Sequence, residues 1–288
     1  MKKTKGIATA VMIFALISVL VITRGDPDKE LATGFASHRI VAHAMGGING
    51  HTYTNTLEAF AANYEQGSRI FEADLLLTTD EQLVARHEWT HNMSKLLGQQ
   101  TILPAAKQGT VLDYAQFMDS PILNIYSPLD MEGILDLMQS YPDAFIVTDT
   151  KEIKPELVTQ QFTLLTEAAG RRDPALLERI VPQIYSQDML DVIHRVHVFP
   201  EVLYTLYQSQ DSNEQVIDFV KESGVDITMP TTRVTRSFVK KLKKAGARIY
   251  VQTLNDEAEI VKLSRMGVDG FYTDFVSEED LRQFNGLR

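Results

Sequence analysis

Residues 39–78, RIVAHAMGGINGHTYTNTLEAFAANYEQGSRIFEADLLLT, read as one strand–helix–strand unit, and that unit decides the fold. Arg39–Ala44 is an apolar run of strand length. In Asn55–Gly67 the residues Leu57, Phe60, Ala61 and Tyr64 recur on one helical face, and Gly67 suits the helix end. Arg69–Thr78 is a second strand, and Gln82–His87 reads as a hairpin return on it. The alternation then continues with strands at Phe145–Lys151, Ile180–Ser186, Glu201–Tyr207, Asp226–Met229, Arg248–Leu254 and Gly270–Thr273. Helices are expected at Met131–Ser140, Pro155–Ala169, Met189–Arg195, Asn213–Ser223, Thr235–Ala245 and Glu257–Met266. Repeated β-then-α order implies a parallel sheet with right-handed crossovers. Eight such units in about 250 residues predict an α/β protein of the (β/α)8, or TIM, barrel class. Residues 89–127 break the rhythm and read as a small insertion after strand two. A doubly wound open sheet is the competing arrangement, but no glycine-rich phosphate fingerprint follows the first strand.

The N-terminus has a different character. Lys2, Lys3 and Lys5 precede an uncharged run of 18 residues from Gly6 to Thr23. That is close to the roughly 20 residues a membrane-crossing helix needs. Residues 1–24 are therefore expected to be a single transmembrane anchor, with a cleaved signal peptide as the alternative. Residues 25–37 read as a polar linker and 38–288 as the barrel. Basic residues ahead of the run place the N-terminus in the cytoplasm and the barrel on the extracytoplasmic side of a bacterial-type cell membrane, or secreted if the segment is removed. Membrane contact is expected through residues 6–23. Of the 28 basic and 38 acidic residues, four basic and no acidic ones fall in 1–24, leaving the remainder at −14. Such an acidic body argues against nucleic-acid binding, which rests on phosphate neutralisation. With no cysteine in the chain, disulfides, thiol nucleophiles and cysteine–metal sites are excluded.

In a barrel of this kind the active site lies at the C-terminal ends of the strands. The polar residues there are His43, Glu72 and Asp74, His87 and Glu88, Asp149 and Lys151, Tyr204, Gln252 and Asn255, and Asp274. Glu72 and Asp74 are two apart and share a strand face. Alone, such a pair is equally a salt-bridged core pair or a solvated one. If both point inward, a hard divalent ion suits them, with Asp149 as a third oxygen ligand. His43 and His87 are able to carry protons near neutral pH, though each alone is more often structural. Taken together, two histidines, three carboxylates and one lysine are a set able to break a phosphodiester.

The stretches VAHAMGG, TNTLEAF and FEADLLLTTDEQLVARHEW, with the C-terminal YVQTLNDEAEIVKLSRMGVDGFYTDF, resemble the glycerophosphodiester phosphodiesterase family, part of the phospholipase C-like phosphodiesterases. The resemblance spans about residues 39–280 and keeps motif order; FIVTDTK is similar to that family's Glu-x-Lys strand. It implies a TIM barrel with a small insertion after strand two. It implies His43 and His87 as the acid/base pair and Glu72, Asp74 and Asp149 as ligands of a divalent cation, Ca²⁺ or Mg²⁺. Lys151 and Asn255 are assigned to the substrate. The implied reaction is hydrolysis of a glycerophosphodiester or a related phospholipid or cell-wall glycerophosphate, with a cyclic phosphate intermediate. Within the same fold, a phospholipase of C or D type is the alternative; outside it, a weakly catalytic phosphodiester-binding protein. The departures bear on that choice. Ala44 stands in place of the family's arginine and Thr54 in place of a glutamate; Asp149 replaces a glutamate, Glu88 an aspartate and Gln252 a tryptophan. Arginine's bidentate fork has no equivalent in lysine.

One rival motif remains. His87–His91 (HEWTH) matches the zinc-peptidase pattern H-E-x-x-H, which works only on a helix. The lysines at 240, 241, 243 and 244 read as a solvated helix face, with contact to anionic lipid as the alternative.

Overall fold

The computed structural model describes residues 34–284. Nine strands form one sheet: β1 (Ile40–Ala42), β2 (Ile70–Leu77), β3 (Leu83–Ala85), β4 (Phe145–Asp149), β5 (Ile180–Ile184), β6 (Leu203–Thr205), β7 (Asp226–Pro230), β8 (Ile249–Gln252) and β9 (Gly270–Thr273). Eight of them are parallel and close on themselves, because β1 pairs with both β2 and β9. The ninth, β3, pairs antiparallel with β2 alone, as the hairpin reading expects. Helices α1 (Leu57–Glu65), α4 (Met131–Ser140), α5 (Pro155–Arg172), α6 (Gln187–His194), α7 (Asn213–Ser223), α8 (Arg236–Ala245), α9 (Glu257–Ser264) and α10 (Glu278–Gln283) follow the barrel strands in turn. Helices α2 (His91–Leu96) and α3 (Tyr114–Met118) lie in the insertion. The parallel (β/α)8 barrel is thus the observed architecture, and the open-sheet alternative is excluded by the β1–β9 pairing.

Local chemistry sets the helix starts. Thr56, Asp130 and Asp256 each accept a backbone N–H of the first turn, and Ser212 and Ser277 form capping boxes.

Alternation along the strands separates two cores. Val41, Ile70, Val147, Val181, Leu203, Tyr250 and Tyr272 fill the barrel interior, with Phe35 packed among them. Their neighbours Ile40, Phe71, Ala73, Ile146, Ile180, Ile227 and Phe271 face the helices. Two residues further along each strand the same inward parity gives His43, Glu72, Asp149, Gln183, Thr205, Gln252 and Asp274. The apolar plug therefore sits under a polar layer at the C-terminal end, as in barrels generally.

Several boundaries differ from expectation. The strands are shorter than their apolar runs: β1 ends at Ala42 and β4 at Asp149. His43 opens a 3-10 turn, and Lys151 leaves the sheet with φ of 52°. Gly34–Ser37, expected within the linker, form a 3-10 turn whose Phe35 is buried against Phe145 and Tyr250. The expected anchor over 1–24, and residues 25–33 of the linker, lie outside the described residues. Among the described residues no helix is long and apolar enough to cross a membrane.

The insertion has its own small cores. Leu103, Leu112 and Phe117 pack on Val84 of β3, while Met93, Leu97, Ile122 and Tyr126 form a second group. Arg86, buried at the end of the hairpin, joins the two parts. Its guanidinium donates to Glu88 O (2.8 Å), Gln99 Oε1 (2.7 Å) and Ser94 Oγ (3.3 Å). In this region residues 87–90 are non-helical and α2 begins only at His91, so the H-E-x-x-H pattern never places its histidines on one helical face.

Candidate active site

A cavity of about 490 Å³ opens at the C-terminal end of the barrel, and His43, Glu72, His87, Asp149 and Lys151 all line it. Asp74 adjoins it, with Oδ1 2.7 Å from Lys151 Nζ. It is 0% exposed and sits beside Asp149 in the β2–β4 register.

Glu72, Asp74 and Asp149 each bring a carboxylate oxygen within 4.8 Å of the others. Three buried acidic groups so close would repel strongly without positive charge between them. Burial pushes Glu72 up to about 8, with Asp74 and Asp149 adding to that and His43 and Lys151 opposing it. Burial also pushes Asp149 upward, against the pull of Lys151. Asp74 goes the other way. Its burial is outweighed chiefly by the Lys151 ammonium, which holds it below the usual carboxylate range.

Lys151 is the cation that answers this cluster. Its Nζ lies 2.7 Å from Asp74 Oδ1 and 2.5 Å from Asp149 Oδ2. The Tyr185 hydroxyl donates to the other Asp149 oxygen, Oδ1. Beyond its ion pair with Lys151, Asp74 Oδ1 has no well-aligned hydrogen bond among the described residues. An under-satisfied buried carboxylate oxygen within an all-oxygen trio fits a hard divalent cation.

The two histidines have opposite surroundings. His43 Nδ1 donates to Asp274 Oδ1 at 2.8 Å, leaving Nε2 for the cavity, 3.6 Å from Glu72 Oε2. Burial alone would lower the His43 imidazole. The Glu72 charge, then the Asp274 hydrogen bond, outweigh it and push it up to about 9. His87 is lowered instead, mainly by burial, with Asp74 opposing. Its Nδ1 is buried and unpartnered among the described residues. The two imidazoles are thus pushed in opposite directions, the separation an acid/base pair requires.

Of the residues expected to meet substrate, Lys151 lines the cavity but Asn255 does not. Asn255 Nδ2 donates to Asp274 Oδ2 (2.9 Å), and its Oδ1 accepts the backbone N–H groups of Asp274 (2.9 Å) and Phe275 (3.1 Å). Its side chain is spent on the loop that holds Asp274. Gln252 and Glu88 line the cavity. Tyr204 turns away from it to Asp211 Oδ2 (2.6 Å). At Ala44 the backbone N–H donates to Glu72 Oε2 at 3.2 Å. Thr54 is buried, with its hydroxyl 3.3 Å from that of Thr56.

Three supporting residues, Asp274, Asn55 and Tyr185, carry no role in the sequence reading; Tyr53, in a loop that reads equally as pocket mouth or plain polar loop, lines the cavity. Asp274 orients His43. Asn55, at φ 50°, donates to Asp74 Oδ2 (2.8 Å) and accepts the Asp74 N–H (3.1 Å). Tyr185 braces Asp149. Tyr53 packs edge-on against both catalytic candidates, with ring centroids 4.9 Å from His43 and 4.7 Å from His87. The parity of Asp274 with Tyr272 offers a signal for the first; loop geometry hides the others.

The sequence model of the Glycerophosphoryl diester phosphodiesterase family matches residues 46–278. The glycerophosphodiester phosphodiesterase of Bacillus subtilis (strain 168) is 20% identical over 287 residues, covering 96% of each chain. Among solved structures, a glycerophosphodiester phosphodiesterase from Parabacteroides distasonis superposes with a TM-score of 0.67 at 20% identity, over 85% of this chain and 96% of that one. An Oleispira antarctica phosphodiesterase, solved with the product sn-glycerol-3-phosphate, superposes with a TM-score of 0.68 at 14% identity, over 86% and 97%.

Proposed function

The chain belongs to the glycerophosphoryl diester phosphodiesterase family and is a phosphoric diester hydrolase, and from that premise we propose that it cuts glycerophosphodiesters by cation-assisted acid/base catalysis with His43 and His87. The observation that carries the reading is the convergence of His43, His87 and Lys151 on one cavity beside a cluster of three buried carboxylates.

Glu72, Asp74 and Asp149 are the residues that would hold a divalent cation, Ca²⁺ or Mg²⁺. Such an ion supplies charge for the phosphoryl oxygens as they become more negative. In the first step His87 accepts the proton of the substrate hydroxyl that attacks phosphorus. The bond from phosphorus to the leaving oxygen breaks, and His43 Nε2–H protonates that oxygen. A cyclic phosphate results. Water then opens it with the two roles exchanged, returning both histidines to their starting states. Asp274 keeps His43 in the tautomer that presents Nε2. A cation held by the trio would compete with the Lys151 ammonium for Asp74 and Asp149, leaving Lys151, which lines the cavity, able to pair with a phosphoryl oxygen.

The product bound by the Oleispira relative supports glycerol phosphate as one product here. Related glycerophosphate-bearing lipids or polymers belong to the same proposal. From the sequence alone we place the domain outside the cytoplasm, tethered by residues 6–23.

The reading is tested by incubating the full-length protein with glycerophosphocholine and glycerophosphoglycerol after chelation, then restoring Ca²⁺ or Mg²⁺. Release of glycerol phosphate that disappears on chelation and returns with one of the ions supports it. Turnover indifferent to chelation, or none with folded protein, refutes it.

A further inference from the structure

His87 has no hydrogen bond among the described residues that fixes its ring, and its buried Nδ1 is unpartnered. His43, by contrast, is held by Asp274. The feature common to both is Tyr53. Its ring stands edge-to-face with His43 at an interplanar angle of 81° and with His87 at 71°. Tyr53 also packs with Met93, Leu97, Ile122 and Tyr126, the second core of the insertion.

The backbone places it there against its own preference. Tyr53 has φ of 60°, a region that bulky side chains rarely enter. Such conformations persist where the surroundings over-determine them, and they gather at functional sites. Here the surrounding loop is tied at several points. Ile48 and His51 exchange backbone hydrogen bonds of 2.9 Å, Asn49 Nδ2 donates to the Tyr126 hydroxyl at 2.7 Å, and Asn55 N–H donates to Ala44 O at 3.1 Å. The Tyr53 hydroxyl makes no hydrogen bond among the described residues.

We propose that Tyr53 is a positioning residue for both histidines: its ring, backed by the insertion core, fixes the two imidazoles relative to each other. This rests on the acid/base roles proposed above. It gives the 89–127 insertion a function, as the buttress that holds His87 in line. The ring acts through shape and packing, so the hydroxyl is dispensable.

The test uses the full-length protein with Tyr53→Phe, which keeps the ring, and Tyr53→Asn, which removes it. Asparagine tolerates positive φ, so the backbone loses little. Tyr53→Phe is expected to keep kcat within about twofold. Tyr53→Asn is expected to lose on the order of 10- to 100-fold in kcat with little change in KM, the scale of a small misalignment of reacting groups. The Hε1 resonances of His43 and His87, assigned through single histidine variants, should both move in Tyr53→Asn and stay in place in Tyr53→Phe. Equal losses in both variants would give the role to the hydroxyl and overturn the proposal. So would a loss confined to KM, or unmoved resonances in Tyr53→Asn. If the wild type turns over no phosphodiester, the hydrolase reading fails by itself, and the resonances still decide whether Tyr53 positions the imidazoles.

Discussion

Asp274 Oδ1 lies 2.8 Å from His43 Nδ1, joining the last strand of the barrel to the turn after the first. The contact sets the tautomer of His43 and, after the Glu72 charge, helps hold its proton. In Asp274→Asn the hydrogen-bonding shape survives and the charge does not. We expect kcat to fall on the order of 10- to 100-fold, as for other partners that orient a reactive histidine. The His43 titration midpoint, followed by NMR, should fall as well. An unchanged kcat would remove Asp274 from the account.

Asn255 supports the same residue one step back, with its side chain on the Asp274 carboxylate and on two loop N–H groups. Asn255→Ala should lower kcat about tenfold while leaving KM nearly unchanged, since the side chain does not line the cavity. Steady-state kinetics decide the point: a rise in KM at constant kcat would return Asn255 to the substrate-binding role expected from the sequence.

Stability without a cation should fall as pH rises. Burial pushes Glu72 up to about 8 from an ordinary 4.5. His43 is pushed up to about 9 from 6.5, with Glu72 and Asp274 overcoming its burial. In both cases the folded protein binds the proton more tightly than the unfolded chain. Their stabilising contribution is therefore complete below the unfolded values and lost as pH climbs through the folded ones. Chelated protein should show a Tm that declines from pH 5 to pH 9. A cation competes with the proton for Glu72, so the stabilisation by Ca²⁺ or Mg²⁺, read as a Tm gain, should grow with pH, reaching about 2.7 kcal/mol at a hundredfold excess over Kd. Glu72→Gln should abolish that gain. Thermal unfolding with and without chelator measures each effect.

Gly47 permits the close approach of two loops. Its N–H donates to Asp274 O at 2.6 Å, and an added Cβ would lie 2.6 Å from that same backbone oxygen. Gly47→Ala must shift the Asp274 loop. We expect a loss of about 1–3 kcal/mol, the usual scale of overpacking. Activity should fall beyond what the loss of folded protein explains, because His43 moves with Asp274. Urea unfolding and kcat measured on the same sample separate the two effects.

The parts of the site that lie on strands were legible because period-two alternation is legible. Glu72 and Asp74 follow Ile70 on the inward face, and Asp149 follows Val147, so alternation placed each on one face while the inward direction came from the structure. The β-then-α rhythm carried the barrel in the same way. Strand ends were read too long because apolar runs continue into residues that have left the sheet. His43 enters a 3-10 turn, and Lys151 adopts a positive φ. What escaped were contacts made by loops across the barrel. Asn255 reads as a polar strand-end residue, yet its amide closes a turn around Asp274. Tyr53 reads equally as a pocket-mouth residue or as part of a plain polar loop, because nothing local places its ring between two histidines 44 positions apart. Ala44 reads as the loss of a cation, and the structure fills that position with a backbone N–H to Glu72.

The central claim is a two-histidine, cation-dependent cleavage of a phosphodiester. Phosphorus NMR of a glycerophosphodiester with wild type, His43→Ala and His87→Ala, each supplied with the activating ion, tests it most directly. The account predicts a glycerol monophosphate signal with wild type, preceded by a cyclic phosphate. Each variant should be slower by about 10²–10⁴-fold, the worth of one acid/base group. Near-normal turnover in either variant would contradict the account.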